Sequence, residues 1–167
     1  MRFATAVLVA VTSVLTVASP AHADPSVHDP SVHDPSVHDP AHDWAFIEHE
    51  LFEVSLERFV ADTRRPDRWF DWSNDGCSAP LLGNRGTSYD FLQPCMRHDF
   101  GYRNLHRLER RYGTGHTFWN AVNRRRVDQQ FLTDMKHHCR TRMLWRQPAC
   151  FVYAYTYYAA VRAVAGP

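Results

Sequence analysis

The sequence predicts a small all-α domain, stapled by disulfides, in which two long antiparallel helices carry a site between them. Three observations lead there. Apolar residues recur at helical spacing through 89–108, 117–138 and 148–164. No stretch of any length carries the apolar and polar alternation of a strand. Four cysteines, Cys77, Cys95, Cys139 and Cys150, form an even set in a chain that begins with the signals of export, where disulfides form and persist.

Taken in chain order, the first element is a segment expected to be removed. Met1-Arg2 gives a positive start, Phe3 to Val17 is apolar with Thr and Ser interruptions, and Ala21-His22-Ala23 is a small-residue cleavage site. The apolar run is shorter than the roughly 20 residues that cross a bilayer. Residues 1–23 therefore read as a signal peptide, with a secreted, extracellular product beginning at Asp24. Next comes "DPSVHDPSVHDPSVHDPAHD", a five-residue unit repeated from Asp24 to His38 that fades into 39–43, with 24–42 as the low-complexity segment. Its prolines forbid a continued helix, and it has too little apolar surface to offset chain entropy, so a disordered linker or propeptide is expected. His28, His33, His38 and His42 are potential transition-metal ligands, but nothing in so open a chain holds them in a fixed geometry.

The folded domain is expected over 43–167. Trp44 to Ala61 has apolar residues at helical spacing among good helix formers, and a short turn or helix follows at 66–72. Gly, Asn, Asp and Pro mark 73–88 as a long loop. The helices over 89–108 and 117–138 pack together across a short connection, and a third begins at Pro148, a natural first-turn residue.

The two long helices have apolar stripes with polar residues in them. Phe91, Cys95, His98, Tyr102 and Leu105 share a face, so His98 points inward. On the second helix Asp128 shares a face with Phe131, Leu132, Met135 and Cys139. A carboxylate facing a core is costly unless paired, and His98 is its natural partner. Such a pair fixes the imidazole tautomer and leaves the second ring nitrogen as a base for activating water. A satisfied core pair without chemistry fits the same pattern.

The cysteines allow three pairings, of which Cys77 with Cys95 and Cys139 with Cys150 closes the shortest loops. No close C-x-x-C pair suggests zinc. If Cys77 is bonded to Cys95, the bridge draws Asp75 and the carbonyls near Gly76 towards Asp99. Two carboxylates plus carbonyls are hard oxygen donors of the kind calcium prefers. Turn formation by Asp75 and solvation of Asp99 are the plainer readings.

Charge narrows the partners. From Asp43 onward 18 Lys and Arg stand against 14 Asp and Glu, and the excess is uneven: 97–146 holds 12 basic and 4 acidic groups. A basic face suits anionic lipid surfaces, phosphate head groups or nucleic acid alike.

"WSNDGCSAP" (72–80), "CMRHDFGYRN" (95–104), "RRVDQQFLTDMKHHC" (125–139) and "CFVYAYTYYAAVRAVAG" (150–166) together resemble the secreted phospholipase A2 family of bacteria and fungi. The likeness covers about Trp69 to Gly166, and its specific part is the joint pattern of D-x-C, C-x-x-H-D-F-G-Y-R-N and R-x-D. It implies a calcium-dependent hydrolase of the sn-2 ester of glycerophospholipids. His98 would be the base that deprotonates water and Asp128 would orient it. Asp75, Asp99 and the Gly76 carbonyl would bind Ca²⁺, which would stabilise the oxyanion. As that last ligand is backbone, the identity of residue 76 is expected to matter little. The resemblance also implies the bridges Cys77–Cys95 and Cys139–Cys150. The expected protein is a monomer working at a phospholipid membrane or micelle surface, with no nucleic-acid partner.

The chain departs from the family at Leu81 to Asp90, which borders the expected substrate entrance, and in the histidine repeat. "DFG" at 99–101 has no kinase context, and "HELFE" from His49 lacks the second histidine of a zinc protease. A function of another class remains: a secreted, non-catalytic module that binds lipid or another anion through its basic face. The joint presence of His98, Asp99, Asp128 and Asp75 favours the enzyme.

Overall fold

The computed structural model describes residues 38–77 and 83–165. The expected signal peptide and most of the repeat lie outside the described residues. Five α-helices carry the fold: α1 (Pro40–Glu48), α2 (Leu56–Asp62), α3 (Leu92–Tyr112), α4 (Ala121–Arg140) and α5 (Gln147–Ala165). Among the described residues there is no named strand, only a single bridge between Arg85 and Asp90. The all-α expectation holds.

The start of α1 differs from the expectation. The Asp39 carboxylate accepts hydrogen bonds from the Ala41 and His42 amides at 2.8 and 3.0 Å, and Pro40 takes the first turn, so the helix begins at Pro40 rather than Trp44. The tail of the repeat is thus tied to the domain. His38 stacks on Trp69 at 4.0 Å and its Nδ1 lies 3.1 Å from Asp43. The buried Asp43 carboxylate also accepts from Trp69 Nε1 and the Tyr112 hydroxyl, joining α1 to the loop and to the end of α3.

The single helix expected over 44–61 is divided. After α1 the chain widens into a π-helical turn, His49–Glu53, and then becomes extended at Val54. Ser55 restarts it by accepting the Arg58 amide at 3.2 Å. Apolar periodicity continues across this break, which is why the sequence pattern alone hides it. The segment 66–72 forms turns, with Asp67 accepting the Trp69 and Phe70 amides.

Helices α3 and α4 are antiparallel and approach closely where Gly101 lies. A Cβ there would come within 2.7 Å of Val127 Cγ1 and 3.0 Å of Leu51 Cδ2. In their connection Glu109 accepts the amides of Gly115, Phe118 and Trp119, acting as a cap for the turn. Gly115 and His116 take left-handed backbone and Asn120 caps the next helix, so α4 starts at Ala121 and not at Thr117.

Arg97 is 3% exposed and forms a bidentate pair with Asp134 at 2.9 and 2.6 Å, crossing from α3 to α4. Its Nη1 also donates to the Val54 carbonyl at 2.8 Å and so fastens the α1–α2 break to this brace. On one side of it lies a core of Ile47, Leu51, Phe59, Phe100, Leu105 and Val127. On the other lie Phe91, Phe131, Met135, Tyr157 and the cysteines. Both expected bridges are present, with Cα separations of 5.4 Å for Cys77–Cys95 and 5.5 Å for Cys139–Cys150. The second folds α5 back along α4.

Candidate active site

Helical spacing turns His98 of α3 towards α4, where its Nε2 lies 2.9 Å from Asp128 Oδ1. Asp128 is fully buried, and three donors meet it. Besides His98, the Tyr102 hydroxyl donates to Oδ1 at 2.8 Å and Arg162 Nη1, from α5, donates to Oδ2 at 2.8 Å. Burial would raise this carboxyl, but the hydrogen bonds from His98, Arg162 and Tyr102 outweigh it and hold the group below the usual carboxylate range. Burial and the Asp128 charge push the Tyr102 phenol up, so it remains a donor. An ionised Asp128 only accepts, which assigns the imidazole proton to Nε2 and leaves Nδ1 with a lone pair. The ring lies between Tyr102 and Phe131, at 4.4 and 4.8 Å between centroids, and is only 12% exposed.

Asp99 turns to a different side. Its Oδ2 accepts the amides of Asp75 and Gly76 at 3.0 and 3.2 Å, so the loop ahead of the Cys77–Cys95 bridge is docked on α3. Arg103, one turn along α3, donates to Asp75 Oδ1 at 3.1 Å and to Ser73 Oγ at 3.1 Å. Gly76 has φ of +66°, and a Cβ there would come within 2.6 Å of Asn84 Oδ1, which accepts the Cys77 amide. The expectation that residue 76 may be of any type is therefore corrected: the bend that docks the loop requires glycine.

These residues fit a cation. Burial first, with the neighbouring Asp75 carboxyl adding to it, pushes the Asp99 carboxyl up to about 6. Asp75 is held low, first by its hydrogen bond with Asp99. Two neighbouring carboxyl groups beside backbone carbonyls are hard oxygen donors, with Arg103 the one cation paired to them among the described residues. Among the described residues no three His, Cys, Asp or Glu gather as metal ligands, so the acidic part of such a site is limited to this pair.

Residues 47–165 match the family model described as prokaryotic phospholipase A2. The chain belongs to the prokaryotic phospholipase A2 family. The match begins at Ile47, well before Trp69, and so takes in the end of α1 and all of α2. A secretory phospholipase A2 of Arthroderma benhamiae is 38% identical over 123 residues, covering 71% of this chain and 76% of that protein. Another, of Beauveria bassiana, is 33% identical over 118 residues, covering 70% of this chain and 55% of that protein. The enzyme reading thus prevails over the binding-only module: the chain is a phospholipase A2 by family.

In this phospholipase A2 all the expected site residues fall into two adjoining groups, His98 with Asp128 and Asp99 with Asp75 and Gly76. Arg162, Arg103 and Asn84 join them without having been singled out from the sequence. Arg162 had a signal: it is the sole charged residue between Gln147 and the chain end. An isolated charge on so apolar a helix calls for a buried partner. His138, beside Cys139, is structural, its Nε2 accepting the Asp90 amide at 3.1 Å.

Proposed function

We propose that this protein is a secreted, calcium-dependent phospholipase A2 that cleaves the sn-2 ester of glycerophospholipids with an activated water. The observation that carries this reading is the His98 Nε2 contact to an ionised, fully buried Asp128. Water at the free Nδ1 edge would give its proton to His98 as it attacks the ester carbonyl carbon. Asp128 steadies the imidazolium that results, and Tyr102 and Arg162 keep Asp128 ionised and fixed. The same proton then passes from Nδ1 to the departing lysophospholipid alkoxide, so the base is regenerated with the fatty acid released. Calcium, held by Asp75, Asp99 and the Gly76 carbonyl, would polarise the ester carbonyl and offset the negative charge that develops on its oxygen.

Secretion is supported by the apolar start with its cleavage signal and by the two relatives, which are named as secretory phospholipases A2. No helix among the described residues is long and apolar enough to cross a membrane. The decisive experiment is fatty-acid release from a defined phospholipid in calcium and again after chelation by EGTA. Release is expected to stop with EGTA and with His98→Ala. Activity persisting in either case would overturn the mechanism.

A further inference from the structure

The turn between α4 and α5 displays what a folded chain ordinarily hides. Met143, Leu144 and Trp145 are consecutive and are 67%, 83% and 70% exposed. Single exposed apolar residues are common, but three in a row on a soluble surface are a feature that needs a partner.

The turn is rigid. The Cys139–Cys150 bridge brackets it, and Gln147 Nε2 donates to the carbonyls of Arg140 and Arg142 at 3.3 and 3.0 Å. Thr141 Oγ1 donates to the His138 carbonyl at 2.8 Å and the Arg146 amide to that of Met143 at 2.7 Å. So many cross-links leave the three side chains little freedom to fold inward. The display is built in.

Two neighbouring features indicate the partner. From Gln147 to Val161 α5 has no charged residue, and Val152 and Tyr155 are exposed along it, at 65% and 53%. Around the turn stand Arg140, Arg142 and Arg146, with the Arg146 guanidinium 4.4 Å from the Trp145 ring. Apolar side chains with an indole at the rim and cations beside it match the boundary between acyl chains and anionic head groups. A second protein would more often be met by a mixed polar rim with both signs of charge.

We infer that the α4–α5 turn, with the outer face of α5, is the surface by which the enzyme adsorbs to an anionic lipid bilayer. Leu144 and Trp145 enter the interface and Arg140, Arg142 and Arg146 meet phosphates. The inference rests on the phospholipase reading for its biological sense. Its geometry is separate, because Arg140 closes α4 twelve residues beyond Asp128, about 18 Å along the helix.

The test uses vesicles of non-hydrolysable diether lipids, one set phosphatidylcholine and the other phosphatidylcholine with phosphatidylglycerol, so that binding is read without turnover. Wild type should partition to the mixed vesicles more than to the neutral ones. Leu144→Ser with Trp145→Ser should lower partition to both at least about tenfold. Arg140→Gln with Arg146→Gln should remove the preference for the mixed vesicles and its salt dependence. Both variants should hydrolyse a dispersed short-chain phospholipid at the wild-type rate, a control that reports the catalytic reading alone. Wild type that fails to bind, or Leu144→Ser/Trp145→Ser protein that binds as wild type does, overturns the inference. So does a wild-type dimer that this variant converts to monomer while leaving vesicle binding intact, as the face would then be one of self-association.

Discussion

At Asp128 a single buried carboxylate is satisfied by three donors from two helices, His98 and Tyr102 on α3 and Arg162 on α5, and each has a separable role. Removing one leaves a buried charge short of a partner, which costs on the order of 2 kcal/mol for an ionic hydrogen bond. Arg162→Ala is therefore expected to lower kcat roughly tenfold or more with little change in KM, while Arg162→Lys recovers part of the loss. In an Asp128→Asn background the same Arg162→Ala change should cost much less, and equal losses in both backgrounds would deny that Arg162 acts through Asp128. Asp128→Asn should spare calcium binding measured by calorimetry, whereas Asp99→Asn should weaken it first. Glu50 makes a prediction about pH. Its Oε2 is buried without a hydrogen-bond partner, and burial pushes the carboxyl up to about 7 from 4.5, with Asp62 adding to the rise and His49, Arg58 and Arg97 opposing it. The folded state then holds a proton that the unfolded chain has lost between these values. Stability from this group is present below about 4.5 and is lost as pH climbs to about 7, on the order of 3 kcal/mol. Glu50→Gln should flatten that slope in denaturant titrations and leave the protein more stable than wild type at pH 8. The inward direction of His98 and Asp128 was legible from helix periodicity, while a joint role for Asp75 and Asp99 rested on the resemblance and on the expected Cys77–Cys95 pairing. Arg162 was visible only as a lone charge on an apolar helix, and its partner was not, since the packing of α5 on α4 brings it to Asp128.

At the scale of elements, the helices follow from apolar spacing and their ends follow from local chemistry that spacing does not carry. Val54 and Ser55 interrupt one helix because a serine side chain is available to cap the next and Arg97 takes up the freed Val54 carbonyl. Gly115 and His116 delay α4 because left-handed backbone ends helical propagation. A close contact of α3 with α4 was invisible for a similar reason: a glycine inside "HDFGYRN" reads as a weak helix former, while in space it faces Val127 with no room for a side chain. Gly101→Ala would force a methyl within 2.7 Å of Val127. Overpacking of this sort costs about 1–3 kcal/mol, and here it also spreads the helices one turn from the dyad. A lowered Tm together with a lowered kcat is expected, and Gly101→Ala protein with wild-type values for both would show that α4 yields freely. Gly76→Ala acts on the docked loop and should reduce calcium affinity in calorimetry without altering the His98–Asp128 pair.

Over the whole molecule, the division between an ordered domain and a repetitive leader follows composition, but the border falls inside the repeat. Asp39 caps α1 and His38 stacks on Trp69, so the end of the segment expected to be spacer serves the fold. Deletion of 24–37 should leave thermal stability unchanged. Extending the deletion through His42 should lower Tm, as the loss of an N-cap alone costs about 1 kcal/mol. Calorimetric traces in which both deletions coincide with wild type would deny the repeat's end a structural part. The Cys77–Cys95 bridge adds a matter of timing. The loop bearing Asp75 and Gly76 is moored to Asp99 next to a covalent link that forms only in oxidising surroundings. On the proposed secreted reading, the loop is expected to be moored only after export to oxidising surroundings, so that hydrolysis would begin away from the lipids of the producing cell. Dithiothreitol should accordingly abolish calcium binding before it melts the helices.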